Sequence, residues 1–108
     1  RVLDIITTQP KQSQAALYSI LSLQSKGEAI LTGQIYDIYK KLCNQTGLKT
    51  LTQRRIGDII AELDMLGIIN AKVISKGRYG RTREISLSTP DSTNNKIKRI
   101  LEEGLDLL

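Results

Sequence analysis

The side chains of this 108-residue chain with the most evident chemistry are cations. Between residues 49 and 83 stand Lys49, Arg54, Arg55, Lys72, Lys76, Arg78, Arg81 and Arg83, against the acids Asp58, Glu62 and Asp64. Outside that stretch eight basic residues meet eight acidic ones, so the whole net charge of +5 lies inside it. The cations form two clusters, Thr52-Gln-Arg-Arg55 and Lys76-Gly-Arg-Tyr-Gly-Arg-Thr82, the second continued by Arg83. Arginine offers paired donors that match guanine O6 and N7, and glutamine matches adenine N6 and N7. Lysine and arginine also neutralise phosphates. The chemistry these residues suit is recognition of a polyanion rather than the making of bonds.

Composition supports that direction by exclusion. The chain has no His, which removes imidazole acid–base chemistry, nucleophile–His pairs and His metal sites. A single cysteine, Cys43, allows neither an intrachain disulfide nor a cysteine-cluster metal site, and reads as a small buried residue on a helix. Neither GxxxxGK[ST] nor GxGxxG occurs. The charge-free run from residue 12 to 25 is too short and too rich in Gln and Ser to span a membrane, and a secretory signal pattern is absent. These points predict a non-catalytic, metal-free, cytoplasmic module. The start at Arg1 rather than Met suggests a piece of something longer. The 40% hydrophobic and 25% charged residues are an ordinary globular balance. With 4% aromatics the core must be aliphatic, built from fifteen Ile and fifteen Leu.

The elements that must position the cations follow from periodicity. Val2, Leu3, Ile5 and Ile6 form a short apolar group stopped by Pro10. Leu17, Ile20 and Leu21 predict a helix over 11–24 ended at Lys26-Gly27, and 29–31 a very short strand. Thr32 is the expected N-cap of a second helix with the stripe Ile35, Ile38, Tyr39, Leu42 and Cys43, closed by Gly47. Thr50 or Thr52 caps a third, where Ile56, Ile59, Ile60 and Leu63 repeat the stripe until Leu66-Gly67. The period then becomes two. Ile69, Ala71 and Val73 point one way on one strand and Asn70, Lys72 and Ile74 the other; Ile85 and Leu87 point inward on another over 83–88, with the glycine-punctuated 76–82 between them. Thr89-Pro90-Asp91, with Pro in the first turn, opens a last helix carrying Ile97, Ile100, Leu101 and Leu105. This order predicts an α+β, mostly α, winged helix-turn-helix: a three-helix core, a small antiparallel β-hairpin wing and an extra C-terminal helix.

In that fold the third helix and the wing are the two elements that meet DNA. On the helix wheel the face away from the core holds Arg54, Asp58, Ala61 and Met65, flanked by Gln53 and Gly57 on one side and Arg55 and Glu62 on the other. Small Gly57 and Ala61 would let the helix approach a groove closely. Asp58 would hold the Arg54 guanidinium, unless the two are only a solvated surface pair. Gly77 and Gly80 allow close approach to a phosphate, and Tyr79 between them is either a strut along the hairpin or a sugar–phosphate contact. Lys49 and Arg55 are expected on phosphates. Two other uses stay open: a protein-interaction winged helix, and a dimeric transcription regulator joined through the stripe of the last helix.

Four segments carry a family likeness: Ile35-Tyr-x-Ile-Tyr-Lys-Lys-Leu-Cys43, Leu51-Thr-Gln-Arg-Arg-Ile56, Glu62-Leu-Asp-Met-Leu-Gly-Ile-Ile69 and Ser75-Lys-Gly-Arg-Tyr-Gly-Arg-Thr82. They resemble the C-terminal winged-helix domain of archaeal replication initiators of the origin-recognition and cell-division-control-six type. The resemblance implies a module binding double-stranded origin DNA, the helix from Thr52 in the major groove and the hairpin from Lys76 in the adjacent minor groove. It gives DNA-contact roles to Thr52, Gln53, Arg54, Arg55, Lys76, Arg78, Tyr79, Gly80, Arg81 and Thr82; the charge pattern adds Lys49 and Arg83. It implies an AAA+ ATPase module ahead of this domain, with ATP and Mg²⁺ belonging there and no cofactor here. Residues 1–10 would end that module's lid or linker, 11–88 form the winged helix and 89–108 the C-terminal helix. A replicative helicase or another initiator subunit are the further partners implied; a membrane is not.

Overall fold

The computed structural model describes residues 2–24, 30–75 and 81–107. Its elements run α1 (Val2–Thr7), α2 (Lys11–Gln24), β1 (Ile30–Leu31), α3 (Thr32–Thr46), α4 (Gln53–Met65), β2 (Ile69–Ser75), β3 (Arg81–Leu87) and α5 (Asp91–Gly104). The ends predicted at Lys26-Gly27, and the residues 76–80, lie outside the described residues.

Helix α2 is the centre of the molecule. It packs against α3 and α4 on one side and α5 on the other, and it also touches β3. This explains why its buried surface is wider than the stripe Leu17, Ile20, Leu21 predicts: Ser13, Gln14, Ala15, Ala16 and Ser19 are buried as well. Small and hydrogen-bonded side chains let neighbouring helices close in from both sides; Ser19, for example, donates its hydroxyl back to the Ala15 carbonyl at 2.8 Å. The core is aliphatic as composition requires, with Ile6, Leu17, Ile20, Ile35, Ile56, Ile60, Leu63, Ile68 and Ile69 at its heart. Tyr39, fully buried, is the exception. Cys43 is buried, free and on a helix.

Two helix starts are displaced by one residue from expectation. Thr32 does not cap α3; it is the first helical residue, and Leu31, extended at φ −109° and ψ 154°, takes the cap position. The cause is β1, which holds Leu31 opposite Glu84 and delivers the chain straight into the helix. The Gln34 side chain accepts the otherwise orphan Leu31 N–H at 2.9 Å. Pro90 likewise sits one place earlier than the first turn, in the cap position of α5 with ψ 163°. Gly47 (φ 78°) ends α3 in the left-handed conformation, its N–H donating to the Cys43 carbonyl at 2.9 Å.

The strands form one antiparallel sheet in the order β1-β3-β2. Its register sets Ile69 opposite Leu87, Ala71 opposite Ile85 and Val73 opposite Arg83. The inward face is apolar only at its base. Ile69 and Ile85 are buried, but Val73, on the same face, is 54% exposed, because the hairpin has by then run past the core. The free edge of β2 is partly closed by Asp64, whose carboxylate accepts the Ala71 N–H at 3.2 Å.

Helix α5 covers α1 and α2. Ile97, Leu101 and Leu105 are buried in the domain's own core and Ile100 is half-buried against it, so the stripe left open as a dimer seam is largely covered within the chain. Tyr18 fastens the two long helices by donating its hydroxyl to Glu102 at 2.9 Å; burial first, and this carboxylate second, raise its pKa above the usual tyrosine value.

Candidate nucleic-acid interface

Helix α4 presents its N-terminal turn to solvent. Thr52 caps it from an extended backbone (φ −71°, ψ 160°), its hydroxyl accepting the Arg55 N–H at 3.2 Å. Lys49, Thr52, Gln53, Arg54, Arg55 and Asp58 are all exposed. Among the described residues none of Lys49, Arg54 and Arg55 forms an ion pair, and the expected Arg54–Asp58 pair is not made. The charge therefore stands free at the end of the helix, where it can meet phosphates or base edges. Thr52→Ala should lower the unfolding free energy by about 1 kcal/mol, read by urea denaturation, because it orphans a first-turn N–H.

The segment that leads into α4 is fixed by a polar network. The Leu51 N–H donates to the Tyr39 hydroxyl at 2.9 Å, and that hydroxyl donates to Gln12 Oε1 at 2.5 Å. Gln12 Nε2 donates in turn to the Lys49 carbonyl at 2.8 Å, and the Tyr36 hydroxyl to the Leu51 carbonyl at 2.8 Å. Side chains of α2 and α3 thus tie down the backbone at Lys49 and Leu51, immediately before the cap. Burial pushes the Tyr39 hydroxyl up to about 12, the Leu51 hydrogen bond opposing it and the Cys43 neighbour adding to it. The stripe that sets Tyr39 on the apolar face of its helix gives no sign of this network. No spacing signals it, since Gln12, Tyr39 and Leu51 meet only in three dimensions.

The wing stands beside α4. Thr82 and Arg83 in β3 are half-buried, and Arg81 lies in β3 opposite Ser75. Thr32, Gln53, Arg54, Val73, Thr82 and Arg83 line an open cleft of about 460 Å³ between helix and hairpin. Here the structure corrects the reading of Gly57. It does not leave the helix open for a groove; it is buried, and Arg83 Nη1 donates to its carbonyl at 3.1 Å. A Cβ at position 57 would lie 3.4 Å from that nitrogen. A lone glycine within a helical pattern is the one sequence feature that points to packing at this position. Lys76, Arg78, Tyr79 and Gly80 lie outside the described residues. Among the described residues no group of three His, Cys, Asp or Glu side chains gathers to hold a metal, and no helix is long and apolar enough to cross a membrane.

Three helices with a hairpin laid against the last of them, and a small third strand, define a winged helix domain. The family described as the CDC6 C-terminal winged helix domain matches residues 4–96, and the chain belongs to it. The chain is 50% identical over 100 residues to ORC1-type DNA replication protein 1 of Methanosarcina acetivorans, covering 90% of this chain and 24% of that protein. It is 52% identical over 99 residues to the ORC1-type DNA replication protein of Pyrococcus furiosus, covering 91% and 23%. The chain thus spans about a quarter of the length of these relatives. Among solved structures it resembles the Aeropyrum pernix ORC1 protein in complex with DNA, at TM-score 0.86 and 41% identity over 99% of this chain and 28% of that one. Cdc6p from Pyrobaculum aerophilum shares the fold at TM-score 0.74 and 20% identity, over 95% of this chain and 26% of that one.

Proposed function

We propose that this winged helix is the double-stranded-DNA-binding, C-terminal module of a replication initiator that acts at origins. The observation that carries the reading is the concentration of the chain's net charge on α4 and the wing, with Lys49, Arg54 and Arg55 exposed and unpaired among the described residues. The likeness to an ORC1 protein solved in complex with DNA supports it. In this reading α4 enters the major groove. Gln53 and Arg54 read base edges, Thr52 and Arg55 fix the helix on the strand, and Lys49 meets a phosphate. The wing follows the adjacent minor groove, with Lys76, Arg78, Tyr79, Gly80, Arg81 and Thr82 along the backbone. ATP and Mg²⁺ belong to an AAA+ module elsewhere in the whole protein; a replicative helicase or another initiator subunit are this module's further partners.

The test is a duplex titration over a salt series with Arg81→Ala. Each lost phosphate contact should reduce the steepness of log K against log salt by about 0.9. Arg81→Ala should therefore bind matched and scrambled duplexes with equally reduced affinity and a slope shallower by about one contact. An unchanged slope and affinity would remove the wing from the interface.

A further inference from the structure

Among the described residues of the wing, one arginine reaches across to α4. Arg83 is half-buried on the face of β3 that looks toward α4, paired in register with Val73. Its Nη1 reaches the Gly57 carbonyl at 3.1 Å, one helical turn beyond Arg54. That carbonyl lies inside α4, where the helix's own N–H four residues on already uses it, so the arginine adds a charge-assisted bond to a remaining lone pair. Position 57 leaves just enough room: a Cβ would stand 3.4 Å from the guanidinium nitrogen. The other side of β3 is held by β1, with Ile30 opposite Ile85 and Leu31 opposite Glu84.

We infer that Arg83 is a positioning residue, a strut from the wing to the Gly57 carbonyl of α4 that fixes the separation of the two DNA-contacting elements. This rests on the DNA-binding reading above and reassigns Arg83 within it, from a phosphate contact to the part that holds wing and helix in register. A duplex presents its major and minor grooves at a set spacing, and a protein that meets both gains affinity when that spacing is already built in. The Arg83–Gly57 bond supplies this pre-organisation. Loss of the strut leaves every phosphate-contacting cation in place but lets the wing move independently of α4.

The experiment uses Arg83→Met, Gly57→Val and the double variant, with circular dichroism to establish that each is folded. Valine at 57 displaces the guanidinium while leaving Arg83 its charge. Each single variant should lose about ten-fold in duplex affinity, the worth of one hydrogen bond to a charged group. The double variant should be no weaker than either single one, since both remove the same bond. The slope of log K against log salt should stay at the wild-type value in Arg83→Met. A slope shallower by about 0.9 would make Arg83 a phosphate contact and overturn the strut. Losses that multiply in the double variant would overturn it equally. Wild-type chain that binds no duplex would sink the DNA reading instead. The strut is then judged on the free protein: faster amide exchange through β2 and β3 in both single variants supports it, and unchanged exchange refutes it.

Discussion

Tyr39→Phe should lower the unfolding free energy by about 1–3 kcal/mol, although it removes a single oxygen and leaves the ring in place. The hydroxyl accepts the Leu51 N–H and donates to Gln12 Oε1, so phenylalanine strands a backbone donor and a side-chain acceptor together. The ring is fully buried, and water cannot easily replace the lost partner. A urea titration reads the stability loss. The same variant has a second signature. The folded hydroxyl keeps its proton until about pH 12, whereas an ordinary tyrosine loses it near 10. Between these values the unfolded state binds fewer protons, so stability falls as pH rises through that window and is unaffected below it. Tyr39→Phe should flatten most of this alkaline limb and leave the part due to Tyr18, which is raised in the same direction. An unchanged urea midpoint and an unchanged alkaline limb would show that the network contributes nothing. Because the network ends at Lys49 and Leu51, duplex affinity should fall as well, through a less firmly placed α4.

Arg54→Ala should cost roughly 1–3 kcal/mol on a cognate duplex and little on a scrambled one. Its side chain is exposed in the first turn of α4, beside Gln53, and makes no ion pair among the described residues that would have to be broken before it reached a base. A paired fluorescence titration on the two duplexes checks it. Equal losses on both would place Arg54 on the phosphate backbone and shift base reading to Gln53. The contrast with Arg81→Ala separates contacts that specify sequence from those that only hold the protein on the duplex.

How much was readable beforehand depended on whether the signal was local. The stripes at Ile56, Ile60 and Leu63 and at Ile97 and Leu101, the cap at Thr52 and the stop at Gly47 are patterns of a few neighbouring residues. All of them are seen in the structure. Thr32 and Pro90 missed their places by one residue because strand pairing and an extended backbone decide where a helix begins. Val73 keeps the face of Ile69 and Ala71 yet is exposed, because a wing outgrows the core that covers its base. The stripe of the last helix shows that the helix must be covered, not by what, and α1 and α2 cover α5. The cationic clusters were legible as a charge pattern. The Tyr39 network and the Arg83–Gly57 bond were not, since each joins residues far apart in the chain, and only the glycine inside α4 hinted at the second.

The proposed function requires that α4 and the wing bind duplex DNA together. Hydroxyl-radical footprinting of the chain on candidate origin DNA, repeated over a salt series, tests it most directly. Protection should appear at low salt as a minor-groove patch for the wing flanking the major groove occupied by α4, and should fade steeply as salt rises. No protection at low salt, or protection that salt leaves untouched, would contradict the account.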